Sequence, residues 1–139
     1  EITESNNDVI NLIHPIENED LIDTNIVKAI INTDKDIINF SRTAIPADGK
    51  SGFRQLGMIA FKTNGLEKFS QLKPSKHEII ESIDMMRFLD NDIKIGSFLT
   101  HEIITGVDEE HHIGEVEKKM KNDIFINKYL LSYEKSINN

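Results

Sequence analysis

The first half of the chain is divided into short runs of β-branched and other apolar residues, and this pattern constrains the fold most strongly. The runs are DVINLIHPI (8–16), NIVKAIIN (25–32), IINFSRTAI (37–45) and FRQLGMIAFK (53–62). Runs of this length, bounded by polar turn residues, predict β-strands. The turn signal TDKD (33–36) predicts a hairpin between the second and third strands. We expect the mostly apolar fourth strand to be buried on both faces.

The second half has the spacing of helices joined to one more strand. Ser75 and Glu78 have the S-x-x-E spacing of a capping box. After it, residues 76–90 predict one continuous amphipathic helix. Its apolar stripe is formed by Ile79, Ile83 and Met86. Alternation over residues 92–99 predicts a strand. Strands first, and then strand and helix in alternation, predict a layered α/β domain with a mixed sheet.

Composition excludes several classes of protein. The net charge is −8, from 16 basic and 24 acidic residues, so nucleic acid is not an expected partner. Without cysteine there are no disulfides and no thiolate chemistry. No apolar run approaches the roughly 20 residues that span a bilayer, and the first residues lack a signal peptide's features. Since no initiator Met is present, we expect part of a longer cytoplasmic polypeptide without a membrane partner.

Histidine pairs in this sequence do not have the spacing of a metal site. His111 and His112 are consecutive, so on a helix their side chains point about 100° apart. We interpret them as a solvated helix end. The segment HEIIE (77–81) begins like a zinc-protease helix, but Glu81 stands where that motif requires its second histidine.

Asp108 has two possible roles. It follows a glycine at the predicted end of a strand and precedes the predicted helix EEHHIGEVEKKM. As an N-cap it would be supported by Glu109 and Glu110 in the first helical turn. At the edge where open α/β sheets bind ligands, its carboxylate would instead suit Mg²⁺, which prefers oxygen ligands.

Two further charged residues also have alternative interpretations. Arg42 ends an apolar strand, where it can form a surface salt bridge or bind a carboxylate or phosphate with both arms of its guanidinium. Asp84 lies one position from the predicted apolar stripe. It can be a solvated acid, or an acceptor for sugar hydroxyls at the rim of a binding site.

Four segments, taken in order, resemble one family. They are NIVKAIINTDKDIINFSRTAIP, RQLGMIAF, LKPSKHEIIESIDMMRFLDNDIKI and GVDEE. Together they resemble the C-terminal half of the 3-deoxy-manno-octulosonate cytidylyltransferases (CMP-Kdo synthetases), from about residue 8 to residue 120. Members couple CTP to a 2-keto sugar acid, releasing pyrophosphate and giving the CMP-sugar used for lipopolysaccharide. The resemblance implies a nucleotidyltransferase-type, Rossmann-like fold and a homodimer.

Site residues follow from the resemblance position by position. Asp108 matches the family's metal-binding aspartate, which implies Mg²⁺ as cofactor. Arg42 matches the arginine near the sugar acid. Gln55 stands where many members have a histidine that contacts the sugar, and Asp84 where the usual pattern has a glutamate with the same task.

Several departures from the family pattern predict an altered sugar-binding site. Ile59 replaces a tyrosine common there, and Met85 replaces a glutamine beside the acidic residue. The loop after Pro46 is also shorter than usual. Which 2-keto sugar acid is used therefore stays open.

The resemblance also divides the chain. Residues 1–121 would form the sugar-acid-binding and dimerisation half, and residues 122–139 an amphipathic helical tail. The family's CTP phosphate loop, base-recognition residues and second metal-binding aspartate belong to the other half. We therefore expect this segment alone to be inactive. Two functions remain open: the sugar-acid half of an enzyme, or a truncated, non-catalytic dimerisation module.

Overall fold

The computed structural model describes residues 6–46, 52–102, 107 and 110–126. The chain divides into two compact units, Glu1–Ile103 and Ile104–Asn139. The second unit contains the helix α5 (Glu110–Lys121). The predicted division at residue 121 stays a prediction, and most of the predicted tail helix lies outside the described residues. No helix of the described part is long and apolar enough to cross a membrane.

Five strands of the first unit form one sheet that closes on itself. They are β1 (Val9–Pro15), β2 (Lys28–Ile31), β3 (Asp36–Ser41), β4 (Phe53–Phe61) and β5 (Ile95–Leu99). Their order is β1-β4-β2-β3-β5, and β5 closes the barrel by pairing in parallel with β1. The other pairs are antiparallel. The predicted mixed sheet and the β2–β3 hairpin are confirmed, while the Rossmann-like assignment stays a prediction.

Among the described residues of this unit, four helices accompany the sheet. They are α1 (Asn18–Ile22), α2 (Thr63–Gln71), α3 (Lys76–Glu81) and α4 (Met86–Leu89). The predicted capping box is present at the start of α3. The Ser75 hydroxyl accepts from the Glu78 N–H, and the Glu78 carboxylate accepts from the Ser75 N–H at 2.9 Å.

The prediction of one continuous helix over residues 76–90 is wrong. Ser82 adopts a left-handed conformation (φ 53°) and ends α3, so the chain turns before α4. The turn buries Ile83, whereas Ile79 and Ile80 are 68% and 63% exposed. The physical reason is packing. Reorienting the chain brings Phe88 into the core, where its ring centroid lies 5.4 Å from that of Phe69.

The prediction that β4 is buried on both faces is also wrong. Leu56 is buried, but Gly57 and Met58 are exposed. In a closed barrel one face of each strand points inward and the other points outward. The register with β1 shifts between Asn11 and Ile13. The buried Asn11 side chain fills that irregularity by donating to the carbonyl oxygens of Leu56 (2.9 Å) and Met58 (3.5 Å).

The helices are joined by an ion pair between Glu78 of α3 and Arg87 of α4. Their side chains are only 9% and 14% exposed, and Arg87 Nε donates to Glu78 Oε2 at 2.8 Å. The Arg87 guanidinium also lies 4.3 Å from the centroid of the Phe69 ring. Its hydrogen bonds hold the pKa of Glu78 below the ordinary value. The pair therefore fixes the turn that the sequence pattern did not predict.

Glu78→Gln should lower the free energy of unfolding at pH 7 by about 3 kcal/mol, because it leaves the Arg87 charge largely buried without its counter-ion. Urea unfolding of the two proteins measures this difference. Glu67→Gln, at an exposed position of α2, is the matched control and should change stability by less than about 0.5 kcal/mol.

The same difference should depend on pH. Since the pKa of Glu78 is lowered in the folded protein, its stabilisation is complete above the unfolded value of about 4.3 and is lost as pH falls through the folded value. Wild type and Glu78→Gln should therefore converge in stability as pH is lowered below about 4.3. A difference that stays constant down to acid unfolding would contradict the assigned role of the Glu78 carboxylate.

Candidate functional site

Arg42 follows the last residue of β3, and its guanidinium donates to peptide carbonyl oxygens on two sides. Nε donates to the carbonyl of Glu81 (2.8 Å) and Nη2 to that of Ser82 (3.0 Å). On the other side, Nη1 donates to the carbonyls of Thr24 (3.0 Å) and Asn25 (3.4 Å). Within the described residues Arg42 forms no salt bridge, and its side chain donates to peptide carbonyls instead.

The Glu81 side chain accepts a hydrogen bond from the backbone of Arg42. Its Oε2 accepts from the Arg42 N–H (3.1 Å) and from the hydroxyl of Ser41 (3.3 Å). The Ser41 hydroxyl also lies 2.9 Å from that of Thr43. The end of β3 and the end of α3 are therefore tied together by side-chain and main-chain bonds, which holds the Cα of Arg42 at a fixed place.

Gln55 lies on β4 beside the buried Asn11 of β1. Its Nε2 donates to Asn11 Oδ1 at 2.6 Å, and its backbone N–H donates to the carbonyl of Val27 at 2.8 Å. Asn11 therefore orients the Gln55 side-chain amide, and its oxygen Oε1, which has no hydrogen bond to any described residue, can accept from a hydroxyl. The side chain of Gln55 is partly exposed.

Asp84 is exposed in the turn between α3 and α4. Its expected position on a continuous helix is wrong, because α3 ends at Ser82. In the turn its carbonyl accepts from the N–H of Arg87 at 3.1 Å. The side chain of the next residue, Met85, is 3% exposed and belongs to the core. The residue that replaces the family's glutamine is thus a packing residue.

Hydrogen bonds near the start of β2 link the chain segments that carry Arg42, Gln55 and Asp84. Gln55 is bonded to the backbone of Val27, and the Lys28 ammonium donates to the Arg42 carbonyl at 3.0 Å. Arg42 in turn is bonded to the Ser82 carbonyl, at the beginning of the turn that carries Asp84.

Asp108 lies outside the described residues, so its role stays a prediction. β5 ends at Leu99, and residues 103–106 lie outside the described set, so the expectation that Asp108 follows the end of a strand also stays a prediction. Among described residues, no group of three His, Asp or Glu side chains could hold a metal ion. The side chain of His111 is also outside the described set.

A groove of about 480 Å³ opens beside β3, α3 and α4. Its polar wall includes His77, Glu81 and Asp90. His77 Nδ1 lies 2.7 Å from Asp90 Oδ1. Hydrogen bonds from Ser75 and His77 hold the pKa of Asp90 below its ordinary value.

Two residues that matter here were not singled out from the sequence. Lys28 and Asn11 are both fully buried, and both bind main-chain carbonyls near the site. A lysine inside the apolar run NIVKAIIN is a local signal for an unusual buried charge, since lysine is almost never fully buried without partners.

Comparison with known proteins finds similar sequences and a similar solved structure. No family model matches the chain. The 3-deoxy-manno-octulosonate cytidylyltransferase of Rickettsia conorii is 30% identical over 115 residues, which are 83% of this chain and 47% of the relative. That of Acidobacterium capsulatum is 33% identical over 109 residues, 75% of this chain and 44% of the relative. The chain thus spans about half the length of the curated relatives it matches.

A solved structure is also similar. It is a CMP:2-keto-3-deoxy-manno-octonic acid synthetase complexed with CTP, 28% identical, with a TM-score of 0.77. The match covers 86% of this chain and 51% of that one. Sequence and fold agree over most of the chain, and the resemblance read from its motifs is confirmed. Over about half of a member's length, the chain is similar in sequence and in fold to the 3-deoxy-manno-octulosonate cytidylyltransferases.

Proposed function

We propose that this segment is the sugar-acid-binding half of a cytidylyltransferase that couples CTP to 3-deoxy-manno-octulosonate or a related 2-keto sugar acid. The observation that carries the proposal is the match, over 86% of the chain, to a synthetase solved with CTP. The sugar's anomeric hydroxyl oxygen would bond to the α-phosphorus, and the bond from that phosphorus to the departing pyrophosphate would break. The product would be the CMP-sugar for lipopolysaccharide biosynthesis.

In this proposal Arg42 binds the carboxylate of the sugar acid. Its Nε is held on the Glu81 carbonyl, while the bonds of Nη1 and Nη2 are on the exposed side. Nη2 has a second N–H, and Nη1 would give up only its long bond to the Asn25 carbonyl (3.4 Å), so the two nitrogens would donate to the two carboxylate oxygens while the bonds to Thr24 and Ser82 stay. The guanidinium keeps its anchor, so the exchange requires only a local adjustment.

Gln55 and Asp84 would bind the sugar hydroxyls. The Gln55 amide, oriented by Asn11, offers a carbonyl oxygen, and the exposed Asp84 carboxylate accepts two or more bonds. Ile59 and Met85 offer no hydrogen bonds where relatives have polar groups. The sugar would therefore be held by fewer polar contacts than in those relatives.

Mg²⁺ is the cofactor we propose, with Asp108 as one ligand. A carboxylate is a suitable donor, and the ion would neutralise charge on the phosphates when bound. CTP would bind mainly to the rest of the full-length polypeptide, and this segment alone would be inactive. We also propose a homodimer. A full-length polypeptide that binds neither CTP nor sugar acid would favour the alternative, a non-catalytic dimerisation module.

Arg42→Lys in the full-length polypeptide should raise the KM for the sugar acid about 10- to 100-fold, since hydrogen bonds to charged groups contribute about 1.5–3 kcal/mol. Lysine keeps the charge but loses the fork. Steady-state kinetics with each substrate varied would measure this, and the KM for CTP should stay unchanged. Arg87→Lys is the matched control: it should lower stability without changing either KM. An unchanged sugar-acid KM for Arg42→Lys would remove Arg42 from the site.

Asp108→Asn separates the two roles of that residue. Asparagine caps a helix about as well as aspartate, but it removes the charge that Mg²⁺ needs. We expect a nearly unchanged Tm and loss of most Mg²⁺-dependent turnover, followed over a Mg²⁺ titration. Asp123→Asn, at an exposed aspartate after α5, should leave both unchanged. Near-normal turnover of Asp108→Asn at ordinary Mg²⁺ would leave only the capping role.

A further inference from the structure

Lys28 is a fully buried lysine whose described hydrogen bonds all go to carbonyl oxygens. At the start of β2 it has no exposed surface, and its ammonium donates to the carbonyls of Asp23 (2.5 Å), Ile26 (2.9 Å) and Arg42 (3.0 Å). Three donors thus meet three acceptors. Burial lowers the pKa of Lys28, which reflects the cost of keeping this charge out of water.

Arg42 also binds the short loop formed by residues 23–26, through the two carbonyls that Lys28 does not bind. Lys28 takes the carbonyls of Asp23 and Ile26, while Arg42 takes those of Thr24 and Asn25 between them. Four consecutive carbonyl oxygens therefore converge on two cations. Inside the loop, the Ile26 N–H donates to the Asp23 carbonyl, and the Asn25 N–H donates to Asp23 Oδ1 at 2.8 Å.

Lys28 also holds Arg42 itself, through the Arg42 carbonyl. Lys28 therefore bonds both to the 23–26 loop, which contacts the Arg42 guanidinium, and to the backbone of Arg42. The other described contact of the guanidinium is with the end of α3, at the carbonyls of Glu81 and Ser82. Two like charges are thereby held close together, and Arg42 adds to the lowering of the Lys28 pKa. The arrangement costs free energy that a neutral residue at position 28 would avoid.

We infer that Lys28 is a positioning residue, which acts through the 23–26 loop and the Arg42 carbonyl to aim the Arg42 guanidinium at an anionic substrate group. The inference rests on the proposed role of Arg42 in binding the sugar-acid carboxylate. Lys28 does not touch the substrate, because it is buried. Its contribution is to fix the direction of the fork, and a bidentate bond to a carboxylate depends on that direction.

The test is Lys28→Met in the full-length polypeptide, which keeps the length of the side chain and removes the ammonium. The KM for 3-deoxy-manno-octulosonate should rise about tenfold, equivalent to about 1.4 kcal/mol. The KM for CTP should stay unchanged. Lys94→Met, at a lysine whose side chain is 71% exposed, is the matched control and should change neither. If Lys28 only stabilised the fold, Lys28→Met would reduce the fraction of active protein. The apparent kcat would then fall, and both KM values would stay unchanged.

A double-mutant cycle tests whether Lys28 acts through Arg42. In the Arg42→Lys background, Lys28→Met should change the sugar-acid KM by less than about twofold, because the fork it aims is already gone. A full further tenfold rise would overturn the inference, since the two residues would then act independently. So would an unchanged sugar-acid KM in Lys28→Met alone.

Asp23→Ala keeps the inference testable if Lys28→Met does not fold. Asp23 is exposed, and its loss removes the bond to the Asn25 N–H, which loosens the same loop without burying anything. A rise in the sugar-acid KM alone supports the inference, and unchanged kinetics overturn it. Asp34→Ala, in the exposed turn before β3, is its control. Absence of any CTP-dependent turnover by the wild type would instead reject the proposed function.

Discussion

The parallel pairing of β1 with β5 closes the sheet, and much of the rest of the unit depends on that closure. The register runs from Ile10 opposite Gly96 to Ile13 opposite Leu99. Once the sheet is closed, one face of every strand looks into a confined interior. Any polar side chain there must find a partner or lose the free energy of its hydration. Asn11, on the same face of β1 as Val9 and Ile13, is in that position and binds main-chain carbonyls; Lys28 is buried beside the 23–26 loop and also binds main-chain carbonyls.

Carbonyl partners have a different effect from carboxylate partners. A carboxylate would cancel the charge of Lys28 or Arg42, whereas a carbonyl stabilises the cation through its dipole and leaves the formal charge in place. The chain as a whole carries −8. A local positive group that keeps its charge is therefore a specific feature, and it is the kind of group that the proposed anionic substrate would require in a protein of this net charge.

The sequence pattern predicts the elements that depend on residues close together in the chain. The strands follow from β-branched runs, the hairpin from its turn, and the start of α3 from Ser75 and Glu78. The break at Ser82 could not be read in this way, because the stripe through Ile79 and Ile83 fits a helix well. What decides against that helix is a tertiary preference, the burial of Ile83 and Phe88 together with the ion pair from Arg87 back to Glu78.

For the candidate site, too, the sequence indicates residues but not the distant partners that hold them. Arg42 and Asp84 are indicated by their positions in the local pattern, and the ordered family motifs give these two residues and Gln55 their proposed roles but not their bonding partners. That Arg42 binds four carbonyls, or that Gln55 is oriented by Asn11, depends on segments far apart in sequence. Lys28 shows the limit most clearly. Its position in an apolar run indicates burial, but nothing local indicates that its three acceptors would come from positions 23, 26 and 42.

The end of α3 at Ser82 also determines how the Arg42 guanidinium is held. A helix end leaves its last carbonyl groups without intrahelical donors, and the macrodipole places partial negative charge there. Arg42 donates to two of those carbonyls, at Glu81 and Ser82, and so serves as a C-terminal cap supplied from a different element. Had the helix run on to residue 90, those carbonyls would have been consumed by its own backbone. The guanidinium would have had no anchor on that side.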